Sequence, residues 1–180
     1  ALSSYFNVQP SSSYLENTAN LSVKPKSSDP KGFLFTSWKT IDSDFLIRAT
    51  YNVVGSELTV ESFLYNVNQE KLITGKRYKA PSNQAKLIGH TFANDVLESL
   101  TGKKGFFLSK LIAVTDKTGY KEVITMNWDG SDKDILTTDR NVAVSPNWSP
   151  DGKSIIYSLY TRKIRSAQQN LTMFLHDTTK

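Results

Sequence analysis

Apolar and polar residues alternate with a period of two along the middle of the chain, and short polar turns interrupt the alternation. This pattern predicts strands over residues 45–53, 57–64 and 71–78, with a turn at Gly55-Ser56 between the first two. Strands joined by such short turns form an antiparallel meander, and a meander needs a cover on at least one face.

Helical spacing on both sides of these strands predicts that cover. Asp29 before Pro30 is typical of a helix start, and Leu34 and Trp38 would share one face of a short helix. A second helix is predicted after the strands. We expect Ser82 to cap it, Gly102 to end it in a left-handed conformation, and its buried stripe to be formed by Ile88, Phe92, Val96, Leu97 and Leu100. Residues 33–101 therefore predict an α+β fold, with an antiparallel or mixed sheet and helices on one face.

The pattern changes after Gly105, where short strands follow one another closely. They are predicted at residues 108–115, 120–128, 154–161 and 171–176, and Asp-Gly turn signals occur between the second and third. Four-stranded units build the blades of a β-propeller. We therefore expect two domains, residues 1–107 and 108–180, of which the second is the first part of a propeller. A single blade cannot bury both of its faces, so a repeat array is expected to continue beyond it.

Composition narrows the possible functions. The chain has 180 residues, a formal net charge of +5 and no cysteine, which excludes disulfides, cysteine-based metal sites and thiol catalysis. The positive charge is spread over both halves and forms no basic stripe with stacking aromatic residues, so we predict no nucleic-acid binding. No apolar run approaches the roughly 20 residues that a membrane span requires.

No pattern in the sequence predicts a catalytic, cofactor-binding or metal-binding site. The two histidines, His90 and His176, fall in a predicted helix and at the end of a predicted strand, where a structural role is favoured. The sequence contains no nucleophile elbow, phosphate-binding loop or dinucleotide-binding motif. The aspartates of residues 129–139 lack the spacing of a calcium-binding loop.

Residues 145–157 carry the most specific motif, Ser-Pro-Asn-Trp-Ser-Pro-Asp-Gly-Lys-Ser-Ile-Ile-Tyr. This segment is similar to the S-P-x-W-S-P-D-G-K-x-I-x-Y repeat of TolB-type β-propellers. In such a repeat Trp148 would fill the gap between blades, and Asp151-Gly152 would close a hairpin. The structural motif residues are thus predicted to be Trp148, Pro150, Asp151, Gly152 and Tyr157. Propellers attached to prolyl-oligopeptidase-like peptidases also carry this motif.

The region in front of the motif resembles the amino-terminal domain of the TolB family. The resemblance includes residues 89–96, the Leu-Thr-Gly-Lys-Lys-Gly-Phe-Phe junction at 100–107, and the strand at 111–114 that follows it. It covers nearly the whole chain in the same order. It also implies that the strand and helix that open the family's mature domain are missing before Ala1, and that further blades follow Lys180.

The resemblance implies a periplasmic, non-catalytic scaffold of the Tol-Pal envelope system of Gram-negative bacteria. Family members bind the peptidoglycan-associated lipoprotein Pal through the propeller, and they support outer-membrane integrity and envelope constriction in cell division. Their extreme amino terminus can bind TolA, and this chain is expected to lack that segment. Arg162, Lys163 and Arg165 are the candidate partner contacts, although an ordinary solvated basic loop is the favoured interpretation.

Two other functions stay open at this point. The propeller could belong to a prolyl-oligopeptidase-like serine peptidase whose catalytic domain lies downstream of this chain. It could also bind carbohydrate or peptidoglycan through Trp128, Trp148 and Tyr160, although a core position is favoured for Trp148. We further expect that residues 1–180 do not fold alone with a complete propeller face.

Overall fold

The computed structural model describes residues 2–162 and 169–178. The chain divides into two compact units, Ala1–Leu108 and Ser109–Lys180. Of the candidate partner contacts, Lys163 and Arg165 lie outside the described residues. No helix within the described ranges is long and apolar enough to cross a membrane.

The first unit contains the predicted antiparallel meander. Its strands are β1 (Phe45–Val54), β2 (Glu57–Asn66) and β3 (Lys71–Pro81), and they lie in the order β1-β2-β3. Gly55 makes the first turn with a φ of 59°, a conformation that costs glycine little. The alternation of residues therefore predicted these three strands and their pairing correctly.

The sheet is covered on both faces, and not on one as the sequence predicted. Phe63 and Tyr65 of β2 point to the face covered by α1 (Phe35–Lys39) and the loop before it. That core comprises Phe33, Phe35, Trp38, Leu46, Tyr65 and Val67. Tyr78 of β3 lies on the other face, where its hydroxyl donates a 2.6 Å hydrogen bond to Asp95 of the second helix, α2 (Ala85–Thr101).

Helix α2 confirms the predicted stop and corrects the predicted start. Gly102 has a φ of 71°, and its N–H donates to the Glu98 carbonyl at 2.8 Å, as expected of a left-handed cap. Ser82 does not cap α2. It begins a short 3-10 turn that ends at Gln84, and Gln84 precedes the helix without a side-chain capping hydrogen bond.

The predicted start of the first helix is also wrong. Asp29 lies in a loop, where its carboxylate accepts from the Lys31 N–H at 2.9 Å and its carbonyl accepts from the Gly32 N–H at 2.7 Å. These bonds close a turn instead of opening a helix. Helix α1 begins at Phe35, so Leu34 lies before it and is exposed, whereas Trp38 lies within it and is buried.

Within residues 109–162 and 169–178, the second unit contains six strands in two antiparallel sheets. The first sheet has the order β4-β5-β6, formed by Lys110–Thr115, Glu122–Asn127 and Asp134–Ile135. The second has the order β7-β8-β9, formed by Val142–Trp148, Ser154–Arg162 and Gln169–Asp177.

The four strands that were expected to share one blade are therefore divided between two sheets. The sequence pattern missed β6 and β7. Strand β7 does not show a regular alternation, because its pairing with β8 shifts between Val144 and Asn147. Ser145 lies within this bulge and has a φ of 54°.

One apolar core of the second unit draws on both of these sheets. Its buried members are Val123, Ala143, Ile155, Tyr157 and Leu159. Ile112, Leu136 and Trp148 pack against them and are half-buried. The core is thus shared by the sheets rather than enclosed by either one.

Candidate scaffold site around Trp148

The hairpin between β7 and β8 is fixed by a compact set of hydrogen bonds. The Ser149 N–H donates to the Ser154 carbonyl at 2.8 Å, and the Ser154 N–H donates to the Ser149 hydroxyl at 3.0 Å. The Gly152 N–H donates to the Ser149 carbonyl at 2.9 Å. Gly152 has a φ of 70°, which explains the need for glycine at this position.

Asp151 holds the tip of this hairpin through its carboxylate. The Ser149 hydroxyl donates to Asp151 Oδ1 at 2.5 Å, and the Lys153 N–H donates to the same oxygen at 3.1 Å. Hydrogen bonds to the ionised form favour that form, so they lower the pKa of Asp151. Pro150 is exposed at the tip. The motif residues at 149–153 therefore form a self-contained turn.

Trp148 and Tyr157 connect this turn to the core of the second unit. Trp148 ends β7 and packs against the core. Its indole Nε1 is buried and has no hydrogen-bond partner among the residues that the structure describes. Tyr157 is buried in β8, and its ring stacks on Phe174 of β9 with centroids 5.7 Å apart. Burial, followed by the Asp139 carboxylate, raises the pKa of the Tyr157 hydroxyl.

A buried glutamate near this core was not predicted from the sequence. Glu122 of β5 has only 2% of its surface exposed. Its carboxylate accepts hydrogen bonds from the Thr137 hydroxyl and, at 3.0 Å, from the Arg140 N–H. The Thr137 hydroxyl in turn accepts from the Val123 N–H at 2.9 Å. Glu122 therefore anchors the loop that leads from the first sheet of this unit to the second.

The turn between β5 and β6 repeats the chemistry of the motif hairpin. Asp129 accepts from the N–H and the hydroxyl of Ser131 at 3.0 and 2.6 Å, and Gly130 has a φ of 78°. The Asn127 N–H donates to the Ser131 carbonyl at 2.8 Å. In both Asp-Gly turns of the second unit, the aspartate carboxylate thus accepts a hydrogen bond from the backbone N–H two residues later.

The remaining residues singled out from the sequence lie in several places. His90 lies in α2 of the first unit and His176 in β9 of the second. Tyr160 is half-exposed on β8, and Arg162 is the last residue of that strand. Trp128 lies just after β5, and its backbone N–H donates to the Ser109 carbonyl at 3.0 Å. Within residues 2–162 and 169–178, no group of three or more histidine, aspartate or glutamate side chains could hold a metal ion.

Comparison with known proteins identifies similar sequences along most of the chain, although no family model matches it. The Tol-Pal system protein TolB of Geobacter metallireducens is 37% identical over 126 residues, which are 70% of this chain and 29% of that protein. The Tol-Pal system protein TolB of Desulfosudis oleivorans is 32% identical over 159 residues, which are 88% of this chain and 35% of that protein.

A solved structure provides independent support for the fold. The crystal structure of TolB from Acinetobacter baumannii matches with a TM-score of 0.65 at 19% sequence identity. The match covers 79% of this chain and 39% of that one. The chain spans less than two thirds of each of these relatives, and over that span it belongs to the TolB family of the Tol-Pal system.

Proposed function

We propose that the chain is part of a non-catalytic periplasmic scaffold that binds Pal through a propeller. The observation that carries this proposal is the similarity to Tol-Pal system proteins, which extends through both units in one alignment of 159 residues. In this role the protein supports outer-membrane integrity and envelope constriction in cell division. TolA would be a further partner of the full-length protein.

The second unit fits two adjacent, incomplete propeller blades better than one. Each of its sheets has three antiparallel strands in sequential order, and the repeat motif connects the first two strands of the second sheet. The core around Trp148 draws side chains from both sheets, which is how neighbouring blades exclude water between them. The hairpin at 149–153 would then repeat in later blades of the full-length protein.

A scaffold of this kind works through its loops and not through chemistry on a bound substrate. The hydrogen bonds of the motif hairpin fix its turn, and those of Glu122 fix the loop between the two sheets, so both stabilise the framework from which other loops would contact a partner. Arg162, Lys163 and Arg165 are the candidate partner contacts.

Depletion of the gene in its source organism tests the proposed role. We expect leakage of periplasmic enzymes, sensitivity to bile-salt detergents and delayed constriction, all restored by the full-length gene. An intact envelope and normal constriction after complete depletion would contradict the proposal. A fluorophosphonate probe on the full-length protein tests the peptidase alternative, because specific labelling of a serine would favour a hydrolase over a scaffold.

Charge reversal of the three candidate contacts tests them within the full-length protein. The triple variant R162E/K163E/R165E should slow association with Pal and reduce its salt dependence, because rim charges act chiefly on the association rate. A triple variant with the same change of charge in the first unit, K86E/K103E/K104E, is the matched control, since all three lysines are exposed. Equal association rates for both variants would show that the three basic residues do not contact Pal.

A further inference from the structure

Residues 22–33 form a closed loop in front of α1, which we call the lysine loop. The Ser22 N–H donates to the Lys31 carbonyl at 2.8 Å, and the Phe33 N–H donates to the Lys24 carbonyl at 3.2 Å. The two ends of the loop therefore lie side by side. Compact loops whose ends meet in this way are packed by their own residues, and they often carry function.

Three further contacts make the lysine loop rigid. A Cβ on Gly32 would lie 2.4 Å from the carbonyl carbon of Pro25, so the two segments of the loop cross in direct contact there. The Gly32 N–H donates to the Asp29 carbonyl at 2.7 Å. The Tyr65 hydroxyl donates to the Val23 carbonyl at 3.0 Å, which ties the loop to β2. The exposed side chains of the loop are thus presented from a fixed backbone.

The outward side of the loop carries lysines and an exposed leucine beside them. Phe33 lies in an isolated β-bridge and is fully buried. Side chains alternate along extended backbone, so the residues beside this bridge, Lys24, Lys26 and Leu34, point away from the core. Both lysines are exposed, as is Lys31, and Leu34 is exposed by 43%.

The three lysines leave the loop with an unbalanced positive charge. Three lysines and one acidic residue, Asp29, give the loop a net charge of +2. Within the part of the chain that the structure describes, no ion pair includes any of the three lysines. Glu16 accepts a hydrogen bond from the Leu34 N–H at 3.1 Å, but the positive charge of Arg48 interacts with this carboxylate and offsets it.

The composition of the loop favours an anionic lipid surface over an acidic protein as its partner. Protein interfaces are enriched in arginine and aromatic residues and depleted in lysine. The exposed residues of the lysine loop include no arginine and no aromatic side chain. Lysine is a point charge without the paired donors that select one carboxylate. Several lysines beside an exposed apolar residue are typical of contact with a layer of lipid headgroups.

We propose that the lysine loop binds the phosphate headgroups of an anionic bilayer, with Leu34 at the boundary between headgroups and acyl chains. Each lysine near such a surface raises the membrane partition coefficient about fivefold. The contact is reversible, and it weakens as salt screens the charges. It does not depend on Pal.

Cosedimentation of the full-length protein with vesicles tests this proposal. Vesicles of equal parts phosphatidylglycerol and phosphatidylcholine should bind the protein, and vesicles of phosphatidylcholine alone should not. The variant K24Q/K26Q/K31Q should lower the partition coefficient on the anionic vesicles by at least about tenfold. The matched control, K86Q/K103Q/K104Q, removes the same charge from exposed lysines elsewhere in the first unit and should lower it much less. Equal losses in the two variants, or no binding of the unmodified protein, would overturn the proposal.

Asp29→Asn provides a readout that a loss of folding cannot imitate. Asparagine keeps an oxygen that can accept from the Lys31 N–H, as Asp29 does at 2.9 Å, and it removes the negative charge of the loop. Binding to the anionic vesicles should therefore increase about fivefold, whereas Asp42→Asn, at an exposed position outside the loop, should leave it unchanged. Unchanged binding in Asp29→Asn would contradict the proposal. Binding of soluble polyglutamate without binding of vesicles would overturn it in favour of an acidic protein surface.

Discussion

Replacement of Glu122 by alanine should selectively destabilise the second unit. Glu122 is 2% exposed and accepts hydrogen bonds from the Thr137 hydroxyl and the Arg140 N–H. Alanine removes the acceptor and leaves both donors unsatisfied in a site with little access to water. Each such donor costs about 1–3 kcal/mol, so we expect a total loss of about 2–6 kcal/mol. Glutamine, which keeps one acceptor oxygen, should cost about half as much.

Hydrogen exchange followed by mass spectrometry measures this loss where it occurs. Amides of residues 122–141 should lose protection in Glu122→Ala, while those of the first-unit sheet keep theirs. The matched control is Glu57→Ala. Glu57 has 55% of its side chain exposed and pairs with Lys79 at 3.2 Å, so its removal should cost less than about 1 kcal/mol.

A double-mutant cycle with Thr137→Val tests the assignment to this hydrogen bond. Glu122 and Thr137 are the two partners of one hydrogen bond, which either substitution removes, so the combined cost should fall short of the sum by at least about 0.5 kcal/mol. The reasoning would be refuted if Glu122→Ala cost no more than Glu57→Ala, or if the two substitutions were fully additive.

Three further predictions concern the backbone conformation of Gly152, the loop that Arg48 binds, and the effect of pH on stability. Gly152→Ala should destabilise the second unit by about 1 kcal/mol or more in urea unfolding, because Gly152 has a φ of 70°. The control Gly89→Ala in α2 should be neutral or stabilising. Arg48→Met should speed proteolysis of residues 18–22, since their carbonyls lose a donor; unchanged cleavage would contradict this. Burial and the Asp95 carboxylate raise the pKa of Tyr78 above its usual 10.0, so the stability of the protein should fall as pH rises past 10. The stability of the Tyr78→Phe variant should fall less steeply over the same pH range.

Local periodicity was sufficient to predict the first-unit sheet. Much of β1 and β2 alternates between apolar and polar residues, and the two strands pair in one unbroken register. The stripe of α2 ends at a glycine that caps the helix in a left-handed conformation. Such signals are contained within one element, so the sequence around each element carries them.

The incorrect predictions arise where distant or irregular contacts decide the structure. Asp29 before Pro30 is typical of a helix start, yet the Lys31 and Gly32 amides bind it in a turn. Strand β7 carries a bulge at Ser145 that interrupts its alternation. The Glu122 anchor depends on Thr137 and Arg140, which lie 15 and 18 residues further along, and no local pattern connects them.

Direct binding to Pal is the measurement that tests the central claim of a Tol-Pal scaffold. The full-length protein that contains this chain should be titrated with the soluble domain of Pal from the same genome by isothermal calorimetry. The proposed function predicts saturable binding at one Pal per protein. If both proteins are folded and no saturable binding occurs, the scaffold proposal is contradicted.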